Sequence, residues 1–307
     1  MQSIPLLKET LDTLHDRYNR PEFIAEDPVS IPHRFFVPGA ELQPRAADVE
    51  IAGFLAATIA WGNRKAIVKS AGRMMDVMDG APHDFVMNAS AGELDRALGY
   101  VHRTFNGGDL RSFLLSLRHI YSKFGTMGAY FEREFAISTL GAVDSRGSSR
   151  ANYTPSYTEC SLAQLNTPCA ADSTDSPISG DLRRAISRFR SEFFTPPHAP
   201  RCEKHLSSID RGAACKRTNM FLRWMIRRDD RGVDFGLWRS IPPAALYLPL
   251  DVHSAAVSRS LGLLSRRQND WRAVEEVTAN LRLLDPLDPV KYDFALFGAG
   301  IDGYMKR

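Results

Sequence analysis

The sequence contains few cysteines, no long apolar run and no marked excess of charge of either sign. Its four cysteines match no zinc-binding spacing and no compact iron–sulfur loop, so we expect no metal centre; they stand at positions 160, 169, 202 and 215. No apolar run approaches the roughly 18 residues that a membrane-spanning helix needs. Met1–Pro5 is not a basic segment leading into an apolar core, so no secretory signal is expected. We therefore expect a cytoplasmic protein with reduced thiols and no membrane partner.

The charge is balanced overall but unevenly distributed along the chain. The net charge is +3 and 24% of the residues are charged, as in ordinary soluble globular proteins. In the segment 201–228, only Glu203 and Asp210 oppose a basic set: Arg201, Lys204, Arg211, Lys216, Arg217, Arg223, Arg227 and Arg228. Such a local excess favours a surface that follows a phosphate backbone. A solvated helix face that binds nothing is the alternative.

The spacing of apolar residues predicts an almost entirely helical protein. The segment 48–60 is apolar on more than one side and is expected to be a buried helix. Asp109 is expected to cap one helix and Gly298–Gly300 to end another. Trp224 and Trp238 are expected in the core. No strand and no internal repeat are predicted, and further helices are expected over 65–78, 127–135, 216–228, 254–264, 270–284 and 289–297.

One segment departs from this helical pattern. Residues 141–180 are rich in Ser, Thr, Ala, Pro and Asp and show no sustained period, which predicts a flexible insertion. A regulatory or partner-binding loop is the alternative interpretation. The remaining residues, 1–140 and 181–307, are expected to form one helical domain of two interleaved lobes.

Lys216 lies in a turn that suits phosphate binding. Gly212–Thr218 is a glycine-led turn that opens a predicted helix. Glycine lets the backbone approach a phosphate closely, and the free N–H groups of a helix start carry partial positive charge. We therefore expect Arg211, Gly212 and Arg217 to contact a nucleic-acid backbone, with Lys216 as a candidate nucleophile. A lysine that only contacts phosphate or faces solvent is the alternative.

Asp251 occupies a similar position at a later helix start. Pro249–His253 is a proline-led turn, and an aspartate just before a helix is usually a cap. The same position also holds the carboxylate rigidly at the helix mouth, where it suits the stabilisation of positive charge developing on a sugar ring. A lysine and a carboxylate at two helix starts, with arginines around them, together indicate chemistry on a nucleic-acid backbone.

These segments resemble the helix-hairpin-helix DNA glycosylases over about residues 205–300. A Pro-Val-Asp-x-His pattern of that superfamily resembles Pro249–His253, and in its bifunctional members a lysine opens the second hairpin helix, as Lys216 does here. Asp293–Gly300 resembles a later helix of the same fold.

Nearly the whole chain outside 141–180 resembles an uncharacterised bacterial family. The runs that carry this resemblance are Ala60–Lys65 and His102–Gly107. That family is in turn similar to the archaeal 8-oxoguanine DNA glycosylases.

The resemblance implies an all-α, two-lobe helix-hairpin-helix DNA glycosylase-like fold and a role in base-excision repair. Lys216 would attack the sugar of a flipped nucleotide and form a Schiff base that permits strand cleavage, the lyase reaction. Asp251 would stabilise the oxocarbenium-like charge and help to remove the lysine proton. The expected partner is double-stranded DNA with a damaged base, with oxidised guanine as the candidate lesion. No cofactor is expected, and the protein would be a nucleoid-associated monomer.

Further residues are expected to line the pocket for the flipped base. Trp61 and Phe105 lie in polar, glycine-containing runs and are candidates to stack on the base, with core packing as the alternative. Asn63, Asn106 and Arg64 are candidates to read base edges; for both asparagines, helix capping is the alternative. His253 is expected to support Asp251 through hydrogen bonding.

Two other functions remain open at the level of sequence. The hairpin carries Ser208–Gly212, with one glycine, where the glycosylases have Leu-Pro-Gly-Val-Gly. This departure leaves room for a non-catalytic DNA-binding protein that retains the fold. An unrelated helical enzyme acting on a small anionic substrate would use the same basic residues.

Overall fold

Residues 3–40, 42–144 and 181–303 are described by a computed structural model and are mostly helical, which confirms the all-α class. Most of the predicted insertion, from residue 145 to 180, lies outside the described residues. No helix in the described ranges is long and apolar enough to cross a membrane. The α-helices are α1 (Ile4–Tyr18), α2 (Pro21–Ile24), α3 (Ser30–His33), α4 (Ala46–Thr58), α5 (Arg64–Val77), α6 (Pro82–Asn88), α7 (Ala91–Leu94), α8 (Gly107–Phe124), α9 (Met127–Asp144), α10 (Leu182–Phe193), α11 (Lys216–Ile226), α12 (Val252–Ser260), α13 (Trp271–Leu284) and α14 (Asp293–Ile301).

A short antiparallel strand pair interrupts the helices, so the prediction of no strands was wrong. β1 (Val101–His102) pairs with β2 (Phe105–Asn106), and Asn106 also caps α8. The Asn106 side chain accepts a hydrogen bond from the Asp109 N–H at 3.1 Å, and the Asp109 carboxylate accepts one from the Asn106 N–H at 2.9 Å. The prediction that Asp109 itself is the cap was therefore wrong. Asp109 is the third residue of the helix and completes a capping box.

The core is built around α4. Every residue from Asp48 to Thr58 is buried, which confirms the helix predicted from its apolar residues on several sides. α4 packs against α3, α5, α6 and α11. At Gly53 a side chain would lie 3.0 Å from the Met225 Cε atom, so glycine lets α11 approach closely. The predicted burial of Trp224 and Trp238 is confirmed, at 0% and 3% exposure.

Glu50 joins four segments inside this core. Its Oε2 atom accepts hydrogen bonds from the Tyr121 hydroxyl at 2.6 Å and from the Met127 N–H at 3.1 Å. Its Oε1 atom accepts from the Trp238 indole at 2.7 Å and from the Gly128 N–H at 3.2 Å. Burial raises the pKa of Glu50, and these four donors oppose that shift. The buried carboxylate thus accepts hydrogen bonds from the free N–H groups at the start of α9 and links this helix to α4 and α8.

α14 packs against both α1 and α12, and two glycines allow the close approach. A side chain at Gly298 would lie 2.3 Å from the Tyr18 ring, and one at Gly300 would lie 2.8 Å from the His253 Cβ atom. The prediction that Gly298–Gly300 ends the helix was wrong, because α14 continues to Ile301. These glycines serve helix packing, which places the start of α14 beside α11 and α12.

We expect Glu50→Gln to lower the free energy of unfolding by about 3 kcal/mol. The amide keeps one acceptor oxygen but turns an NH₂ group towards buried donors, which leaves donors without partners. Chemical denaturation of both proteins measures the difference. Glu9→Gln, at an exposed position on α1, is the matched control and should change stability by less than about 0.5 kcal/mol. A loss as small as in the control would contradict the assigned role of Glu50.

Candidate active site

The residue before Lys216 has an unusual backbone conformation. Cys215 precedes α11 with φ 47° and ψ 36°, the left-handed region that non-glycine residues rarely occupy. Its thiol donates to the Ser207 carbonyl oxygen at 3.5 Å. This bend directs the chain into α11, so that Lys216 is the first helical residue and is half-buried. The side-chain amine of Lys216 makes no hydrogen bond and no ion pair with the described residues.

The turn that leads to Cys215 requires a glycine. Gly212 has a φ of +79°, while open space surrounds the position of a Cβ atom, so conformation and not crowding selects glycine. The Gly212 N–H donates to the Ile209 carbonyl at 2.7 Å. The Gly212 carbonyl accepts from the Trp271 N–H at 3.0 Å, which fixes the turn to the start of α13.

Asp251 caps α12, as expected for an aspartate at a helix start. Its Oδ1 atom accepts from the N–H groups of His253 and Ser254, both at 2.9 Å, and from the Ser254 hydroxyl at 3.1 Å. The capping role uses Oδ1 alone. The carboxylate also lines a pocket, so the structural and the chemical interpretations of this residue are compatible.

Lys216 and Asp251 line the same pocket, although 35 residues separate them in the sequence. Lys216, Met220 and Arg223 lie along one face of α11 and form one wall. The other walls come from the segment 23–27, from the turn before α12 and from α14: Phe23, Ile24, Asp27, Pro249, Asp251, Asp293, Phe294 and Phe297.

A second carboxylate stands in this pocket. Asp293, the first residue of α14, is buried and forms an ion pair with Arg223 through Oδ2. Burial raises the pKa of Asp293 to about 6, with Asp251 adding to the shift and Arg223 and Lys216 opposing it. Asp293 was not identified as a site residue in the sequence. The signal that could have found it is an acidic residue at the start of an apolar helix, four positions before Phe297.

Arg64 lies against two aromatic residues of the pocket. Its guanidinium carbon is 4.8 Å from the centre of the Phe297 ring and 5.7 Å from that of Phe23. Its Nη2 atom is 3.9 Å from Asp27 Oδ2, is buried and makes no hydrogen bond. The structure therefore places Arg64 against residues that line the pocket of Lys216, although Arg64 itself does not line it. The reading of base edges by Arg64 stays a prediction.

The pocket is small in this conformation. Its volume of about 40 Å³ is room for about one water molecule. A larger group would enter only after the walls move apart. Arg64 is a candidate for that movement, because its contacts with the pocket are two ring faces and one long ion pair.

Trp61 and Arg217 meet at a different cluster. The Arg217 guanidinium carbon lies 4.9 Å from the centre of the Trp61 ring, and the guanidinium donates to the Thr58 carbonyl oxygen. The Trp61 ring also stacks on His205 and meets the edge of His102. Burial lowers the pKa of Arg217 to about 10, and no carboxylate among the described residues pairs with this cation to oppose the shift. Lys216 and Arg217 are thus adjacent in sequence but line different sites.

Four other predicted site residues have structural contacts. Phe105 is 0% exposed within an aromatic cluster of the core, so stacking on a base stays a prediction that requires the core to open. Asn63 and Asn106 each cap a helix by accepting a hydrogen bond from the third residue of α5 and α8. The His253 ring is exposed, and its centre is 6.3 Å from that of Phe297 at the pocket.

Only part of the basic segment 201–228 lies on the surface. Arg223 and Arg227 are buried and paired with carboxylates, which corrects the expectation that the whole set forms one phosphate-following surface. Arg211 and Gly212 are exposed on the turn 207–213, which lines two open grooves of about 470 and 510 Å³. Basic and acidic side chains line both grooves: Arg190, Arg201, Lys204 and Arg211 with Glu203 in one, and Arg183, Arg266 and Arg272 with Asp210, Asp270 and Glu275 in the other.

No group of three metal-binding side chains occurs in the part of the chain that the structure describes. Cys202 and Cys215 are buried and free. Burial raises the pKa of Cys215 to about 12, and burial together with a hydrogen bond to Asp109 raises that of Cys202. Neither thiol therefore competes with Lys216 as a nucleophile.

We expect Cys202 and Cys215 to react with iodoacetamide more than about 100-fold more slowly in the native protein than in denaturant. Both thiols are shielded and protonated at pH about 8 in the folded state. Mass spectrometry of labelled peptides measures each rate separately. Fast native labelling of Cys215 would contradict this, and a thiolate would then compete with Lys216.

A family model described as "Protein of unknown function (DUF2400)" matches residues 27–302. The matched segment contains Lys216, Asp251 and Asp293. Comparisons with curated proteins and with solved structures gave no match. Because the matching segment covers most of its length, the chain belongs to the DUF2400 family.

Proposed function

We propose that this protein is a DNA base-excision glycosylase with lyase activity through a lysine Schiff base, acting on oxidised guanine. The observation that carries the proposal is the meeting of Lys216 and Asp251 in one pocket. An amine and a carboxylate, each fixed at a helix start, match the two roles that sugar chemistry of this type requires. The two-lobe helix-hairpin-helix fold is part of the same proposal, supported by the turn 208–213 and the helix that follows it.

In the proposed mechanism, the damaged nucleotide is flipped out of the duplex towards α11. The amine of Lys216 attacks the anomeric carbon of the sugar, and the base departs with the bonding electron pair. The carboxylate of Asp251 stabilises the positive charge on the ring, because its Oδ1 atom is already fixed by three hydrogen bonds of α12. The resulting Schiff base permits elimination at the adjacent phosphate.

The flipped base requires more room than the pocket now offers. We infer that Arg64 leaves its position beside Phe23 and Phe297 when the base enters, because those rings offer flat apolar faces to a planar group. Arg64 would then be free to bind the base edge or a phosphate.

The grooves beside the turn 207–213 are proposed to follow the DNA backbone. Lys204 and Arg211 are exposed, and neither is in an ion pair with a described residue. Gly212 has a positive φ and open space around it, so the backbone of the turn can approach a phosphate. Binding of this kind is electrostatic and falls steeply with salt.

We expect the wild-type protein to form a covalent adduct with lesion DNA under borohydride, and Lys216→Gln to form none. Duplexes carry 8-oxoguanine, an abasic site or no lesion, and adducts are counted on denaturing gels. Lys69→Gln is the matched control, because it removes an exposed lysine of α5 that lies outside the pocket and both grooves, and it should retain the adduct. Absence of any adduct with full duplex binding would favour the non-catalytic DNA-binding alternative. Absence of duplex binding as well would favour a small anionic substrate.

Asp251→Asn separates the two roles of Asp251. Asparagine is as good a helix cap as aspartate, so stability should change by less than about 1 kcal/mol. The loss of charge should lower the rate of base release about 100-fold. Thermal melting and single-turnover base release measure the two effects. A variant that releases the base at the wild-type rate would show that the carboxylate only caps α12.

We expect the double variant Lys204→Gln with Arg211→Gln to weaken duplex binding equally for all sequences. If both side chains contact phosphates, the slope of log affinity against log salt should fall by about 1.8. Lys69→Gln with Arg133→Gln is the charge-matched control, at exposed positions of α5 and α9 outside both grooves. If the slope fell equally in the control, the loss of affinity would come from the change in net charge and not from contacts of Lys204 and Arg211 with phosphates.

A further inference from the structure

Asp293 and Asp251 line the pocket of Lys216 but differ in their hydrogen-bond partners. Asp251 gives Oδ1 to three hydrogen bonds within α12. Asp293 gives Oδ2 to Arg223, and its Oδ1 atom has no hydrogen bond with the described residues. Asp293 is also the more deeply buried of the two, at 7% exposure. Two carboxylates in different environments beside one amine suit two different tasks.

We propose that Asp293 is the proton-transfer residue of this site, which accepts a proton from Lys216 Nζ and delivers it to the ring oxygen of the sugar. This role rests on the proposed function. Arg223 fixes Oδ2 and leaves the other oxygen available in the pocket. Asp251 then acts through its charge alone, and the task of moving the lysine proton passes to Asp293.

The proton balance of the reaction shows why such a group is needed. When Nζ bonds to the anomeric carbon, the base leaves with the electron pair of its own bond and is protonated by solvent. Nζ then carries two protons and a positive charge, and Asp293 accepts one proton. The nitrogen lone pair next forms the C=N bond, the bond from carbon to ring oxygen breaks, and that oxygen takes the proton from Asp293. The carboxylate is regenerated and the Schiff base remains.

The charges around Asp293 suit a group that both accepts and returns a proton. From α11 it faces Arg223 and Lys216, from the start of α12 Asp251, and from the segment before α3 Asp27. Burial raises its pKa to about 6, so the group changes charge close to neutral pH. Only the ionised carboxylate of Asp293 can accept a proton. The reaction should therefore be slow below pH about 6, and its rate should rise as Asp293 loses its proton.

The test measures the rate of adduct formation on a duplex that carries 8-oxoguanine, with cyanoborohydride, between pH about 5 and 8. The wild-type rate should rise through pH about 6, and Asp293→Asn should lose this rise and fall about 100-fold at its maximum. Asp293→Glu, which keeps a charge opposite Arg223, should retain the rise at a reduced rate. Asp234→Asn is the matched control: it removes the other carboxylate partner of Arg223 without lining the pocket, and should retain the rise.

The outcomes separate this role from the proposed function. An adduct with the wild-type pH profile in Asp293→Asn would overturn the role of Asp293 and leave the glycosylase proposal intact. Loss of the rise in Asp234→Asn would also overturn it, since pairing with Arg223 would then explain both variants. No adduct with the wild-type protein would overturn the proposed function together with this role. Thermal melting of each variant identifies any that do not fold. If Asp293→Asn does not fold, the pH profile of Asp293→Glu tests the role: it should retain the rise in rate, and its loss would contradict the role of Asp293.

Discussion

The buried ion pairs of Arg223 and Arg227 are the interactions on which the arrangement of the site depends. Arg223 pairs with Asp234 at 3.3 Å and with Asp293, and Arg227 pairs with Asp288 at 2.9 Å and with Asp234 at 3.1 Å. Burying these charges is costly, and removing one partner of such a pair typically costs about 3–5 kcal/mol. The network therefore constrains α11 against α14 more strictly than apolar packing alone would, since its hydrogen bonds have direction.

That constraint explains how Lys216 can be both half-exposed and well placed. α11 is held at its second half by ion pairs and against α4 through Gly53, so its first turn need not be buried to be rigid. Asp293 belongs to the network and to the pocket at once. The same side chain thus contributes to folding and to the electrostatics beside Lys216, and the two cannot be altered independently.

The sequence predicted those features that depend on residues close together in the chain. The all-round apolar character of α4 and the turn signatures before Lys216 and Asp251 predicted a buried helix and two helix starts, all of which the structure contains. Features that depend on packing between distant segments were missed. The local signal of Asp293, an acidic residue at the start of an apolar helix, does not reveal its role, because that role depends on an arginine 70 residues earlier. Gly298 looks like a helix end by composition, and only the neighbouring Tyr18 explains it.

The walls of the pocket come from opposite ends of the described chain, which has a consequence for synthesis. Phe23 and Asp27 leave the ribosome before Asp293 and Phe297, which lie far later in the sequence. Domains tend to fold in the order in which they are made, but this pocket cannot close until α14 is available. Arg223 and Arg227 also lack some of their carboxylate partners until then. A chain that ends before α14 would therefore lack the pocket and would leave Arg223 without Asp293.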